Sequence, residues 1–489
     1  MEKRAMPRKE RKEADREDRR KARKKRSGNR EFAKVTYVYV LLFLALMGYI
    51  IYFQAVKSKD LIKSPYNARQ DANSKRITRG QIQDRNGNVL AETVTGADGK
   101  EVRQYPYGNL FAHVVGYSQQ GKTGLESAEN YNLLTSNEFF LTKLQNEFQN
   151  KKNPGDNIVT TLDARLQEAA WDALGPYRGA VVAIEPSTGK IVAMVSKPDY
   201  DPNQIEENWE YLNADPESAL LNRATQGNYV PGSTFKVVTA LEYMREHPDY
   251  ESYSYTCPGY IEYEGTLIHC YNHQAHGVVD LQDSLAYSCN ASFSNIGLML
   301  DVSRFQKTAK ELLFDSKLPG PLPGSRSSFT LTGQSGSADK MMTAMGQGQT
   351  QVSPYHMALI TASIANGGVL MKPYLVDKIT NHSGKVIEKQ MPKEYRTLMT
   401  PEEAAKLKEY MTAVASYGTA SVFAGAGYTA AGKTGTAEYS NDQEKTHSWF
   451  IGMCDVDQPQ LAISVIIEAS DGSISGTQVA KQVFDAYYQ

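Results

Sequence analysis

Three short motifs in this 489-residue chain hold side chains suited to acyl transfer. Ser233-Thr234-Phe235-Lys236 follows Tyr229-Val230-Pro231-Gly232 and precedes the apolar run Val237 to Met244. At a helix start, Ser233 and Lys236 lie one turn apart on the same face. A serine hydroxyl becomes a nucleophile when a neighbour takes its proton. A lysine in a dry site, near a second cation, can have its pKa lowered enough to do so. The helix N-terminus also presents backbone N–H to an oxyanion. Ser288-Cys289-Asn290 puts a hydroxyl and an amide two residues apart in a loop between helices. Gly432-Lys433-Thr434-Gly435-Thr436-Ala437 reads as a strand, with Lys433 and Gly435 on one side and Thr434 and Thr436 on the other. A glycine there allows close approach of a substrate backbone. Each motif alone has a bland explanation: a capping serine with an exposed lysine, a polar loop, an ordinary strand.

A second cluster is metal-like. Cys257, Cys270 and Cys289 fall close together, with His269, His273 and His276 among them. Cys257, Cys270, His276 and Cys289 make a Cys₃His set acceptable to tetrahedral zinc, although the short Cys pair of a zinc finger is missing. A Cys257–Cys270 disulfide and reduced, non-ligating thiols are the other two readings. A zinc ion here would be structural and would brace the loop carrying Ser288. Cys454 reads as a core residue.

The elements that must position these residues lie on a polarised chain. Residues 1–34 hold 16 Lys/Arg and 7 Asp/Glu, a net of +9, so the remainder carries −10 within a total of −1. A basic tail on an acidic body is not the footprint of nucleic-acid binding. Four cysteines exclude a disulfide scaffold. The tail, 1–34, reads as disordered and solvated. Residues 35–56 read as a transmembrane helix: the charge-free stretch Val35 to Phe53 spans about 28 Å, with tyrosines toward its ends. The sequence after it offers no small-x-small cleavage site. The positive-inside rule puts the tail in the cytoplasm and the body outside. Residues 57–155 are mixed, with a hairpin at Asp84 to Leu90 and a helix-like stretch from Phe139 to Lys152 that ends at Asn153-Pro154-Gly155. Residues 156–489 have α/β patterning. It includes a helix from Leu162 to Leu174, a hairpin built on Gly179–Ile184 and Ile191–Val195, a capping box at Thr400 and a strand from Ala462 to Glu468.

The order Ser-x-x-Lys, Ser-x-Asn, Lys-Thr-Gly is the active-site set of penicillin-recognising acyl-serine enzymes. The chain resembles a class B penicillin-binding protein from about residue 76 to 489. Arg79-Gly80, Asp84-Arg85-Asn86-Gly87 and Gly124-Leu125-Glu126 are similar to pedestal motifs. Tyr200-Asp201-Pro202-Asn203, Gly346-Gln347-Gly348 and Trp449-Phe450 are similar to landmarks of the transpeptidase domain. The resemblance implies an α/β (α+β) fold. One transmembrane helix leads to a small mixed pedestal, 57–155, and then to a transpeptidase domain, 156–489, with a central antiparallel sheet flanked by helices. Only about 100 residues separate anchor and transpeptidase, too few for the glycosyltransferase domain of a class A relative.

The implied activity is DD-transpeptidation of peptidoglycan stem peptides ending in D-Ala-D-Ala, with β-lactams as covalent ligands. The implied partners also include a membrane glycan polymerase and the lipid bilayer. In this scheme Ser233 is the nucleophile and Lys236 its base. Ser288 relays a proton with Lys433 beside it, Asn290 holds the peptide amide, and Thr434, Gly435 and Thr436 bind substrate. Catalysis requires no cofactor. A β-lactam sensor would need a cytoplasmic effector or further spans, and a β-lactamase would need a deacylating base that no feature supplies. A scaffold role in cell division or elongation is compatible with catalysis.

Overall fold

The computed structural model describes residues 7–57, 73–438 and 446–489. They fall into two compact units, one N-terminal and one running from Ala68 to Gln489. The first is the helix Arg8–Tyr52, continued by a wider turn at Phe53–Lys57. Its stretch Phe32–Lys57 is long and apolar enough to cross a membrane. The basic tail, expected to be disordered, is helical from Arg8 onward. Arg, Lys, Glu and Ala are strong helix formers, and the apolar span behind them supplies a helix to extend. Interleaved acids add pairs one turn apart, such as Lys21 with Glu17 at 3.6 Å.

The larger unit contains two main sheets. The first runs in the order Val386–Lys389, Val376–Thr380, Asn157–Thr160, Ile82–Gln83, Val89–Thr95, Glu101–Gln104. It therefore crosses the boundary drawn at residue 155, drawing strands from both sides. The turn at Asp84 is the predicted hairpin: its carboxylate accepts the N–H groups of Asn86 and Asn88, each at 2.8 Å. The motifs Arg79-Gly80 and Gly124-Leu125-Glu126 meet in the pedestal core. Buried Glu126 takes Arg79 Nε at 2.5 Å on one oxygen and Arg103 Nε at 2.7 Å on the other. The helix expected over Phe139 to Lys152 is shorter, Phe140–Phe148.

The second sheet is antiparallel and five-stranded, in the order Ala430–Glu438, Thr446–Cys454, Leu461–Ser470, Gly179–Glu185, Lys190–Lys197. Its central strands are buried almost without alternation because helices cover both faces. The helices Ala164–Leu174 and Gly476–Tyr487 pack on each other and on the sheet. Pro354–Ala365, buried over all its residues, packs with Pro401–Ser416 on the sheet as well. The predicted capping box is present at Thr400 and Glu403. The first of these helices starts at Ala164 because the Asp163 carboxylate caps it, accepting from Arg165 and Leu166 N–H.

Pedestal and catalytic body are tied by the Tyr200–Asn203 motif. Asn203 exchanges two hydrogen bonds with the Tyr105 backbone, at 2.8 and 3.0 Å, and the Tyr200 hydroxyl donates to the Ala112 carbonyl at 3.0 Å.

Candidate active site

Ser233 sits in the tight turn Gly232–Phe235 that feeds the helix Lys236–Glu246. Phe235 pins this turn among the rings of Phe305, Phe314 and Phe329. Gly346 lies so close that an added Cβ would stand 1.7 Å from the Gly232 carbonyl oxygen. Gly232 in turn lies against the Thr436 carbonyl, which sets the serine turn beside the Lys-Thr-Gly strand. Trp449, on the neighbouring strand, donates its indole N–H to Val230 O at 3.1 Å.

Lys236 is fully buried and donates to three acceptors: Asn290 Oδ1 at 2.7 Å, Ser288 O at 2.8 Å and Ser288 Oγ at 3.3 Å. Lys433, also fully buried, donates to Ser288 Oγ at 2.9 Å and Thr434 O at 2.8 Å. Both lysines thus meet at one hydroxyl oxygen. Burial lowers Lys236 to about 8, while the thiols of Cys289 and Cys270 pull the other way. Burial lowers Lys433 well below the usual lysine value, and the charge of Lys236 lowers it further. Two ammonium groups this close and this dry do not both keep their protons at neutral pH.

Ser288 has a φ of +55°, a left-handed conformation that costs a non-glycine residue energy. Its neighbours hold it there. Cys289 caps the helix Asn290–Met299 through Sγ, accepting from Ser292 N–H. Asn290 donates from Nδ2 to the His269 carbonyl at 3.0 Å while its Oδ1 receives Lys236. The structure thus joins Lys236, Ser288, Asn290 and Lys433 in one hydrogen-bonded group and sets the turn of Ser233 beside the strand of Thr434 and Thr436.

Gly435 has a different role from the one expected. It faces inward with Lys433, and an added Cβ would meet Thr234 Cγ2 at 3.0 Å and Pro231 O at 3.2 Å. Its missing side chain makes room for the chain's own serine turn, not for a substrate backbone. Two contacts involve residues that were not among the expected site residues. Thr419 Oγ1 lies 2.6 Å from Thr434 Oγ1, and Gln347 Nε2 reaches Thr436 O at 3.5 Å. Gln347 stands inside a quoted landmark, whereas Thr419 follows a helix end with no motif around it.

The Cys/His set converges as one group. Ligand atoms of Cys257, Cys270, His276 and Cys289 all lie within 4.8 Å of one another. The Sγ–Sγ separations are 3.6 Å for Cys257–Cys270 and 3.8 Å for Cys270–Cys289, and Cys257 Sγ is 3.5 Å from His276 Nδ1. A zinc tetrahedron with the usual bond lengths has edges of about 3.8 Å between sulfurs and about 3.6 Å from sulfur to nitrogen. The donor set therefore fits that ion. All four cysteines are free thiols in the structure, and 3.6 Å is far from the ~2.05 Å of a disulfide. The hydrogen bond between Cys289 and Cys270 lowers the Cys270 thiol and raises that of Cys289.

Comparison with known proteins agrees with this geometry. Residues 179–489 match the family model described as "Penicillin binding protein transpeptidase domain", and residues 79–158 match "Penicillin binding protein A dimerisation domain". The chain is 34% identical over 475 residues to peptidoglycan D,D-transpeptidase PbpA of Mycolicibacterium smegmatis, covering 92% of this chain and 96% of that protein. It is 26% identical to peptidoglycan D,D-transpeptidase MrdA of Acinetobacter baumannii, over 78% of this chain and 65% of that one. The imipenem acyl-enzyme structure of penicillin-binding protein A from M. tuberculosis superposes with a TM-score of 0.78 at 32% identity, covering 86% of this chain and all of that one. With both domain models, the length of these alignments and the convergence on Ser288 in agreement, the chain belongs to the penicillin-binding protein transpeptidase family, with a pedestal of the penicillin-binding protein A type.

Proposed function

We propose that this chain is a membrane-anchored peptidoglycan D,D-transpeptidase acting through a Ser233 acyl-enzyme, and that β-lactams acylate the same serine. The observation that carries the reading is the meeting of two buried lysines on Ser288 Oγ beside the serine turn. Neutral Lys236 keeps its short bonds to Ser288 O and Asn290 Oδ1 and gives up the longest, at 3.3 Å. Its lone pair is then available to the Ser233 proton. Ser233 Oγ attacks the carbonyl of the penultimate D-Ala, and the backbone N–H groups of Ser233 and Thr436 receive the oxyanion. Removing one such donor costs about 2.7–4 kcal/mol of barrier. Ser288 passes a proton from the lysine pair to the leaving D-Ala nitrogen, and an acceptor amine then takes the acyl group from Ser233. Asn290 orients the peptide amide. Thr434 and Thr436 receive the terminal carboxylate.

Three finer readings go with this one. The basic tail lies in the cytoplasm and the body outside, by the charge rule for single spans. A membrane glycan polymerase supplies the strands to be cross-linked. Cys257, Cys270, His276 and Cys289 hold a structural zinc ion, which ties the Tyr255–Val279 segment to the start of the helix that follows Ser288. Stoichiometric zinc in the purified full chain, lost from Cys270→Ser, supports the last of these, and metal-free protein with an unchanged melting temperature refutes it.

The test of the central reading is a time course of labelled penicillin on the detergent-solubilised full chain beside Ser233→Ala. Label that appears only on the wild type and persists is expected. Label on both proteins, or penicillin consumed with no label accumulating, refutes it.

A further inference from the structure

The pedestal helix Phe140–Phe148 is amphipathic, yet it packs with the wrong side inward. Its polar residues Lys143 and Asn146 are the half-buried ones, with Lys143 Nζ donating to Ser136 O at 3.3 Å and Asn146 Nδ2 to Asn153 Oδ1 at 3.0 Å. Its apolar residues face away from the protein: Phe140, Leu141, Leu144 and Phe148 are 67, 59, 37 and 82% exposed. At 100° per residue these four share one stripe about a third of the circumference wide. A helix that turns such a stripe to solvent on a soluble face would be an aggregation liability, so this face has an occupant.

Where the helix sits indicates which one. Its C-terminal end leads to Asn153–Pro154, which pairs with the strand Ile77–Thr78, and Asn153 N–H donates to Arg76 O at 3.0 Å. Lys152 Nζ donates to Ser74 O at 2.8 Å. The helix is therefore stapled to the point where the chain arrives from the apolar span ending at Lys57. Only residues 58–72 lie between, a tether whose reach is at most about 50 Å. Beside the helix end, a recess of about 350 Å³ is lined by Lys75, Arg76, Lys151 and Lys152 and by the acid Glu147, with Glu101 paired to Lys152 at 2.8 Å, so cations still outnumber acids there. An apolar stripe flanked by cations matches an anionic bilayer surface, where such helices sit about 5–10 Å into the headgroup boundary.

We propose that Phe140–Phe148 lies on the lipid surface of the bilayer that holds the anchor. The stripe enters the headgroup boundary, and the basic recess faces anionic headgroups. The helix gives the pedestal a second membrane contact besides the span.

The test places a reporter on the stripe of the full chain. Phe148→Trp, at an exposed site, is reconstituted in vesicles of phosphatidylethanolamine and phosphatidylglycerol, with and without acyl chains brominated near the glycerol end. Emission is read as the difference from the parent, because Trp171, Trp209 and Trp449 contribute to both. Unchanged penicillin labelling verifies that the variant is folded. The expected result is roughly twofold quenching of the added emission. Emission equal in brominated and plain vesicles overturns the proposal. Emission that shifts only when a membrane polymerase is added also overturns it, and assigns the stripe to a protein partner.

Discussion

Replacing Lys433 by glutamine tests whether the two buried lysines act as one titrating pair. Their ammonium groups lie 3.3 and 2.9 Å from the same Ser288 oxygen. At no more than about 6 Å apart and an effective dielectric near 20, two unit charges repel by at least about 3 kcal/mol, or roughly two pKa units. The wild-type pair therefore sheds its first proton early, and the two amines share the one that remains. In Lys433→Gln the neighbouring cation is gone, and Lys236 titrates alone, lowered by its burial. A base works only when neutral, so the acylation rate rises with pH. The acid limb of that rise should move up by roughly two pH units in the variant. At neutral pH the loss should be about 10- to 100-fold, narrowing well above pH 8. The assay is the second-order acylation rate of the full chain by a chromogenic cephalosporin from pH 5 to 10, as an order-of-magnitude window around the lysine titration. A loss of equal size at every pH would refute the charge argument and leave Lys433 as a purely geometric or carboxylate-binding group.

Three further outcomes follow from other parts of the molecule. Glu126→Leu strands Arg79 and Arg103 in the pedestal core, and should cost about 3–5 kcal/mol in urea unfolding; a loss under about 1 kcal/mol would show the triad is solvated. Gly346→Ala forces a Cβ to within 1.7 Å of the Gly232 carbonyl at a φ of +92°, and should slow acylation at least tenfold, about 1.4 kcal/mol, while the chain stays folded by circular dichroism. Glu242, on the helix that begins with Lys236, is pushed up to about 7 by burial first and then by its hydrogen bond with Glu246. Its folded value exceeds the unfolded one, so its contribution is present below about pH 4.5 and is lost as pH rises through 7. Glu242→Gln should therefore stabilise the protein by about 1–3 kcal/mol at pH 8 and by almost nothing near pH 4. Equal effects at the two pH values would contradict that sign.

The catalytic set was legible in the sequence because its spacing is fixed by local geometry. Ser233 and Lys236 are one helical turn apart, Ser288 and Asn290 flank one cap, and Lys433 and Thr436 share a strand. Thr419 was not legible, because its meeting with Thr434 depends on how Pro401–Ser416 packs on a strand and leaves no periodic trace. Gly435 was misread for a related reason. Alternation along a strand tells which residues share a side, but not which side meets the cleft and which meets the serine turn. The boundary at residue 155 falls between the strands Asn153–Pro154 and Asn157–Thr160, and strand pairing ignores it, because Asn157–Thr160 lies beside Ile82–Gln83 from the other side. The helical tail shows the opposite error: composition suggested disorder where helix propensity and an adjoining span favour a helix.

The way the pedestal is joined limits how the membrane side can influence Ser233. A hinge needs few contacts across it, and here the connections are dense. The first sheet continues through Asn157–Thr160 into Val376–Thr380, Asn203 exchanges two hydrogen bonds with Tyr105, and Arg85 pairs with Glu185 at 2.7 Å. Motion of the tether at Ile77 therefore carries the catalytic sheet with it as one body. The segment that joins neither main sheet is Tyr255–Val279. Its strands pair only with one another, Tyr255–Cys257 with Gly277–Val279 and Tyr260–Tyr263 with Thr266–His269. Besides packing on the helix Asn290–Met299, it has two polar links to the site. One is the Asn290–His269 hydrogen bond and the other is the thiol cluster that includes Cys289, next to strained Ser288. Whatever stiffens that cluster fixes the oxygen on which both lysines converge, whereas a signal through the pedestal would have to displace the whole catalytic body.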